Sequence, residues 1–187
     1  MSLRVITGCM FSGKTTELLR VYTESKDSKL LVNHSRDSRY NTDSNVTSHD
    51  FKTSPSIALE RLEALCNMSE YWSASRIFID EAQFFSNLYD TVTRMVDEDR
   101  KHVVIAGLNG DYMRKDFGQI CMLLSIADSV SILHASCFEC GNSAIFTHRK
   151  INCKSVINVG GSLEYVSLCR DHYLKAIANT ILLETSQ

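Results

Sequence analysis

Proline is nearly missing from this chain, with one residue in 187, and glycine is held to eight. That leaves little material for linkers, and no proline-rich or low-complexity segment stands out. No run of 18 apolar residues occurs, so no stretch reads as a membrane-crossing helix. Charge of neither sign is in excess: 20 Lys and Arg face 22 Asp and Glu, a net charge of −2. Composition therefore advertises no polyanion partner such as DNA, whereas a small phosphate ligand needs only local positive charge. Seven cysteines is an odd count. With no room for a signal peptide ahead of the first apolar run, it argues against a disulfide framework and for buried thiols or metal ligands. The expectation is a soluble, cytoplasmic protein, one ordinary domain with a small appendage, whose 44% hydrophobic content suffices for a core.

What is present starts at the third residue. The apolar run Leu3-Arg4-Val5-Ile6 leads into Gly8-Cys9-Met10-Phe11-Ser12-Gly13-Lys14-Thr15, which fills every fixed position of the phosphate-binding pattern G-x-x-x-x-G-K-[ST]. Glycines let the backbone wrap close to phosphates with its N–H groups inward, Lys14 reaches the β- and γ-phosphates, and the Thr15 hydroxyl is a Mg²⁺ ligand. Leu18, Leu19 and Tyr22 follow at helical spacing, so the loop delivers the phosphate to a helix N-terminus. The phosphate-binding candidates are Gly8, Met10, Phe11, Ser12, Gly13, Lys14, Thr15 and Thr16.

Four more apolar runs read as buried strands: Leu30 to Val32, Ile77 to Ile79, Val103 to Ala106 and Val130 to Leu133. Helical patterns lie between them at about Ser56 to Cys66, Leu88 to Arg100 and Gln119 to Ala127. The fold class is α/β, a phosphate-loop (P-loop) NTPase-type core with a parallel sheet. Asn33 to Thr53 is polar and long for a structureless connection, so it is either a mobile functional loop or an undetected hairpin. After His134 the texture changes to cysteines, short β-like stretches (Ala144 to Lys150, Ser155 to Val159) and a final helix at about Arg170 to Leu183. The expected division is 1–134 for the nucleotide-binding domain and 135–187 for a small lobe.

Two clusters carry chemistry. Ile77-Phe78-Ile79-Asp80-Glu81 is an apolar strand ending in two carboxylates, where a phosphate-loop enzyme holds magnesium; Asp80 is that candidate. Glu81, where the chain turns, reaches the cleft beside the γ-phosphate and is placed to take a proton. The pairs Cys137/Cys140 and Cys169/His172 share a two-residue spacer and together make a tetrahedral zinc site. With all four positions filled by protein, the zinc is structural, a staple for a lobe with few apolar residues. Cys9, Cys66, Cys121 and Cys153 match no pair and read as small buried or surface residues.

Taken together and in order, these motifs resemble the thymidine kinases of the zinc-containing class. The resemblance spans nearly the whole chain and includes Asp37-Ser38-Arg39-Tyr40, Asp80-Glu81-Ala82-Gln83-Phe84-Phe85, the stretch Gly107 to Gly118, and Gly160 to Cys169. It implies an ATP-dependent kinase acting on thymidine, with Glu81 as general base on the 5′-hydroxyl and Arg39 near the transferred phosphate. It further implies a lasso between the metal-binding pairs, closing over the base. A pocket of Met10, Leu108, Tyr112, Phe117, Thr147 and Tyr165 would hold the thymine, with backbone groups at Asn158, Val159 and Gly160 reading its edge. ATP, Mg²⁺ and structural Zn²⁺ follow as cofactors, a nucleoside as substrate, no nucleic-acid or membrane partner, and a homotetramer as assembly. Cys9 stands where the family usually has proline, and Asn109 where it usually has an acid. The alternative is a zinc-containing P-loop ATPase acting on or sensing nucleic acid, since Asp80-Glu81-Ala82-Gln83 also resembles the acidic box of helicases. Against it stand the short chain and the lack of a basic track.

Overall fold

The computed structural model describes residues 1–35, 45–47, 53–150 and 164–184. In chain order the strands of the first part are β1 (Ser2–Gly8), β2 (Lys29–His34), β3 (Asn45–Thr47), β4 (Thr53–Pro55), β5 (Ile57–Leu59), β6 (Arg76–Ile79), β7 (His102–Gly107) and β8 (Ser129–Leu133). The helices are α1 (Lys14–Glu24), α2 (Ser69–Ser73), α3 (Leu88–Asp97) and α4 (Ile120–Leu123). Six strands form one sheet in the order β5-β2-β6-β7-β1-β8, and every pair in it is parallel.

Alternation along each strand sends neighbouring side chains to opposite faces, and both faces are buried. Ile6, Leu31, Phe78, Val104 and Ala106 pack with Leu18 and Leu19 of α1. Leu3, Val5, Val32, Ile77, Ile79, Val103 and Ile105 pack on the other face with Leu88, Val92 and Met95 of α3 and with Ile120 and Leu123 of α4. The continuous apolar runs of the sequence are therefore central strands, covered on both sides.

Two expected helices are corrected. Ser56 to Cys66 is not one helix: Ile57–Leu59 is a strand and Leu62–Asn67 a 3₁₀ turn. Leu59, Leu62 and Cys66 fit a helical period, but the open edge of β2 supplies ladder partners for Ile57 through Leu59, and pairing overrides the local pattern. Of Gln119 to Ala127 only Ile120–Leu123 is α-helical. Asp128 ends that segment by donating its N–H to Leu3 O (2.9 Å) and accepting the Leu3 N–H on its carboxylate (2.7 Å), which turns the chain into β8. Within the polar stretch after Asn33, β3 and β4 pair as a short antiparallel hairpin.

Beyond residue 134 the strands are short and antiparallel: β9 (Ala135–Ser136) with β10 (Ser143–Ala144), and β11 (Phe146–Arg149) with β12 (Tyr165–Leu168), followed by α5 (Arg170–Glu184). Ala135, Cys137, Ala144, Val166, Leu168 and Tyr173 form a third apolar cluster, which also takes in Cys9 and Phe11 of the phosphate loop. The β-like stretch Ser155 to Val159 and the lasso lie outside the described residues. Among the described residues, no helix is long and apolar enough to cross a membrane.

Candidate functional site

The carboxyl ends of β1, β6 and β7 meet on one side of the sheet, and the expected site residues follow directly from them. β1 runs into the phosphate loop at Gly8, whose φ is 149° and where a Cβ would strike the Leu133 carbonyl. Gly13 closes the loop with φ 82°, a left-handed conformation that glycine adopts without strain, and α1 starts at Lys14. Lys14 Nζ donates to the Cys9 carbonyl at 2.7 Å, so the ammonium is folded across the loop it belongs to. Ser12 Oγ is buried with no hydrogen-bond partner among the described residues, an unmet polar group within the loop. The Met10 N–H donates to Thr147 Oγ1 at 3.0 Å, which fastens the loop to β11.

Asp80 follows β6 directly and is 3% exposed. Its N–H continues the ladder to Val32 O (2.8 Å), and its carboxylate accepts the Thr15 hydroxyl at 3.3 Å. A hydroxyl and a carboxylate facing each other beside a phosphate loop are the oxygen donors a Mg²⁺ ion takes. Glu81, next in sequence, has φ 50° and ψ 37°. A non-glycine residue in this region costs about 1 kcal/mol or more, and such strain gathers at functional turns. The turn takes Glu81 out of the strand's alternation, and its Oε2 accepts Gln83 Nε2 at 2.5 Å. Gln83 Oε1 in turn accepts the N–H of Leu108, just beyond β7, at 3.0 Å.

Gln83 stands in the sequence as one letter of the Asp80-Glu81-Ala82-Gln83-Phe84-Phe85 stretch, and nothing in that pattern assigns it a role. Arg149 is a second residue that sequence reasoning missed. Its guanidinium lies 4.0 Å from the Tyr112 ring centroid and 5.3 Å from that of Tyr165, and it donates to the Tyr165 hydroxyl at 2.7 Å. Two of the expected pocket tyrosines are thus held by one buried cation. Tyr173, wholly buried, donates to the Tyr112 carbonyl at 2.6 Å and stacks on Phe146 at 4.9 Å. Phe117 meets Phe84 edge-on at 5.5 Å. A cavity of about 170 Å³ lies alongside, lined by Cys9, Asn109, Arg114, Asp116, Cys121 and Thr147 among others. Burial pushes the Cys9 and Cys121 thiols above their ordinary range, so both are protonated at neutral pH. Arg39, Asn158, Val159, Gly160 and Cys153 lie outside the described residues.

The metal-ligand candidates come together. The ligand atoms of Cys137, Cys140, Cys169 and His172 all lie within 4.8 Å of one another. Cys140 Sγ is 3.9 Å from Cys169 Sγ, and His172 Nδ1 is 3.6 Å from Cys137 Sγ. A tetrahedral zinc ion requires edges of about 3.8 Å between sulfurs and about 3.5 Å between sulfur and nitrogen. The donor set and its spacing are therefore compatible with zinc. Burial raises the Cys137 thiol, but backbone N–H donors at Cys169, Cys140 and Glu139 and the Cys140 side chain outweigh it and bring it down to about 6. A thiolate is the form that binds metal. The turn that presents the first pair is closed by Cys137 N–H to Asn142 O (2.7 Å) and Gly141 N–H to Cys137 O (2.8 Å). The second pair starts α5.

Known proteins share this arrangement of sequence. The family model described as thymidine kinase matches residues 1–173. Thymidine kinase a of Arabidopsis thaliana is 42% identical over 193 residues, covering 100% of this chain and 79% of that protein. The thymidine kinase of Fowlpox virus is 38% identical over 174 residues, covering 90% of this chain and 94% of its own. That of Bacteroides thetaiotaomicron is 38% identical over 178 residues, covering 93% and 87%.

Proposed function

The chain belongs to the thymidine kinase family and is a kinase of nucleotide salvage that uses ATP to phosphorylate thymidine; on that premise we propose how its own residues divide the work. The observation that carries the proposal is the Thr15–Asp80 contact of 3.3 Å with Glu81 turned out beside it, directly below the phosphate loop. The 5′-hydroxyl of the nucleoside attacks the γ-phosphorus of ATP, an O–P bond forms, the bridging bond to the β-phosphate breaks, and ADP leaves. Glu81 accepts the hydroxyl proton. Backbone N–H groups from Gly8 to Thr16, together with the Ser12 hydroxyl, hold the phosphates, and Lys14 exchanges the Cys9 carbonyl for the β- and γ-phosphate oxygens. Arg39 adds a guanidinium to the charge that spreads over the transferred group.

Thr15 and Asp80 would hold Mg²⁺, which when bound supplies charge neutralisation at the β- and γ-phosphates. Cys137, Cys140, Cys169 and His172 would hold a structural Zn²⁺, which supplies folding energy to residues 135–187 and leaves the phosphate chemistry to residues 1–134. Met10, Leu108, Tyr112, Phe117, Thr147 and Tyr165 form the walls around the base, and backbone groups at Asn158, Val159 and Gly160 read its edge. A site made of fixed N–H and C=O groups rejects cytosine by leaving them unpaired. Val130 and Ile132 are exposed on β8, the edge strand of the sheet, which supports self-association into a homo-oligomer, a homotetramer in the family to which the chain belongs. The compartment this reading implies is the cytoplasm.

A nucleoside panel with Mg-ATP and ADP release as readout tests the assignment. Turnover with thymidine and little with deoxycytidine is expected, and equal rates on both would refute the backbone reading of the base. ADP release stimulated by single-stranded DNA and indifferent to thymidine would overturn the function itself.

A further inference from the structure

We propose that Gln83 is a positioning residue that aims the Glu81 carboxylate and ties its aim to the seating of the nucleoside against Leu108. The proposal rests on Glu81 being the proton acceptor. Gln83 is 3% exposed, and both ends of its amide are engaged: Nε2 on Glu81 Oε2 at 2.5 Å and Oε1 on the Leu108 N–H at 3.0 Å. The amide has only one workable orientation. A backbone N–H can meet only the oxygen end, so the NH₂ end must face the carboxylate and donate to it. That bond commits one oxygen of Glu81 and sets the plane of the carboxylate, which is the geometry a base needs before a proton moves.

The surroundings keep the amide where it is. A Cβ at Gly107 would stand 2.8 Å from Gln83 Oε1, and one at Gly118, whose φ is +61°, would strike the Gln83 carbonyl. Two glycines thus allow the backbone of the 107–118 segment to close directly onto Gln83. Leu108 follows β7 immediately, and its N–H takes a side-chain amide as acceptor where the strand has run out. Any displacement of Leu108 is transmitted through one rigid amide to Glu81. A nucleoside that fails to seat against Leu108 is therefore penalised in kcat as well as in KM.

The test compares Gln83→Glu and Gln83→Met with Glu81→Gln, using steady-state kinetics in thymidine and in ATP together with thermal melting. Gln83→Glu keeps an acceptor for the Leu108 N–H and loses the amide donor to Glu81; Gln83→Met loses both. We expect kcat to fall about tenfold or more in both variants, with KM for ATP unchanged within about twofold. KM for thymidine should rise severalfold in Gln83→Met alone. A kcat within about threefold of the parent in both variants, while Glu81→Gln is inactive, overturns the role of Gln83 and leaves Glu81 as the base. An active Glu81→Gln enzyme overturns the base assignment and this inference with it. A rise in KM for ATP matching that for thymidine shows a general loss of site structure and also refutes the proposal. Should Gln83→Met fail to fold, the kcat of Gln83→Glu decides alone.

Discussion

Replacing Thr147 by valine removes one oxygen atom and nothing else of comparable size. Thr147 lies on β11, is 6% exposed, and accepts the Met10 N–H at 3.0 Å. Valine preserves the branched Cβ that suits a strand but removes the acceptor of the part-buried Met10 N–H. Orphaning a fully buried donor costs about 1–3 kcal/mol and a part-buried one less, so about 2 kcal/mol is the upper bound here, against roughly 1 kcal/mol net when both partners go together. For a chain of this size a 2 kcal/mol loss lowers the melting temperature by roughly 4–8 °C. Met10 sits in the loop proposed to hold the ATP phosphates and on the wall proposed for the base, so the same loss, felt in the transition state, caps the fall in kcat/KM at about 30-fold. Thr147→Ser is the control: it keeps the acceptor and should lose less than half as much. Melting curves and thymidine-saturation kinetics on the three proteins give both numbers. If the valine variant melts within about 1 °C of the parent and keeps kcat/KM within about twofold, the bond to Met10 carries nothing and the argument for a fastened loop fails.

Glu81→Gln should lose turnover by two or more orders of magnitude while binding ATP with nearly parental affinity, and calorimetric titration with a non-hydrolysable ATP analogue checks the second half. Elemental analysis should find one zinc per chain; chelation, or Cys140→Ala, should lower the melting temperature and raise proteolytic cleavage beyond residue 134, whereas a metal-free protein of unchanged stability would refute the staple. Tyr173→Phe removes the 2.6 Å bond to the Tyr112 carbonyl and should raise KM for thymidine about three- to tenfold with KM for ATP unchanged, read from two-substrate kinetics.

The legible parts of this molecule are those whose physics is local or whose spacing is fixed. The phosphate loop needs glycine, lysine and threonine at set intervals, and the Cys/His pairs need a two-residue spacer, so both stand out as strings of letters. β1, β2, β6, β7 and β8 announce themselves as continuous apolar runs because helices cover both faces of the sheet. β5 does not, since it is three residues long and Leu59 also falls in a helical period with Leu62 and Cys66 until β2 offers its edge. The roles of Gln83 and Arg149 are illegible for another reason. Each is defined by partners remote in sequence, Leu108 for one and Tyr112 for the other, and neither spacing repeats from one fold to the next. The acidic strand end at Asp80 and Glu81 stands out in the sequence, whereas the hydrogen bonds that Gln83 makes to Glu81 and Leu108 do not.

The strand order β5-β2-β6-β7-β1-β8 has a consequence for how the protein is made. β1 pairs through Ser2 with His102 of β7 and through Arg4 with Ser129 of β8. Both partners lie 100 or more residues further along the chain, so β1 waits, unpaired and apolar, until they have been synthesised. Parallel pairings this distant close slowly and leave sticky intermediates exposed. The strand that leads into the phosphate loop is therefore made well before the partners that hold it, and its apolar face stays exposed until they arrive.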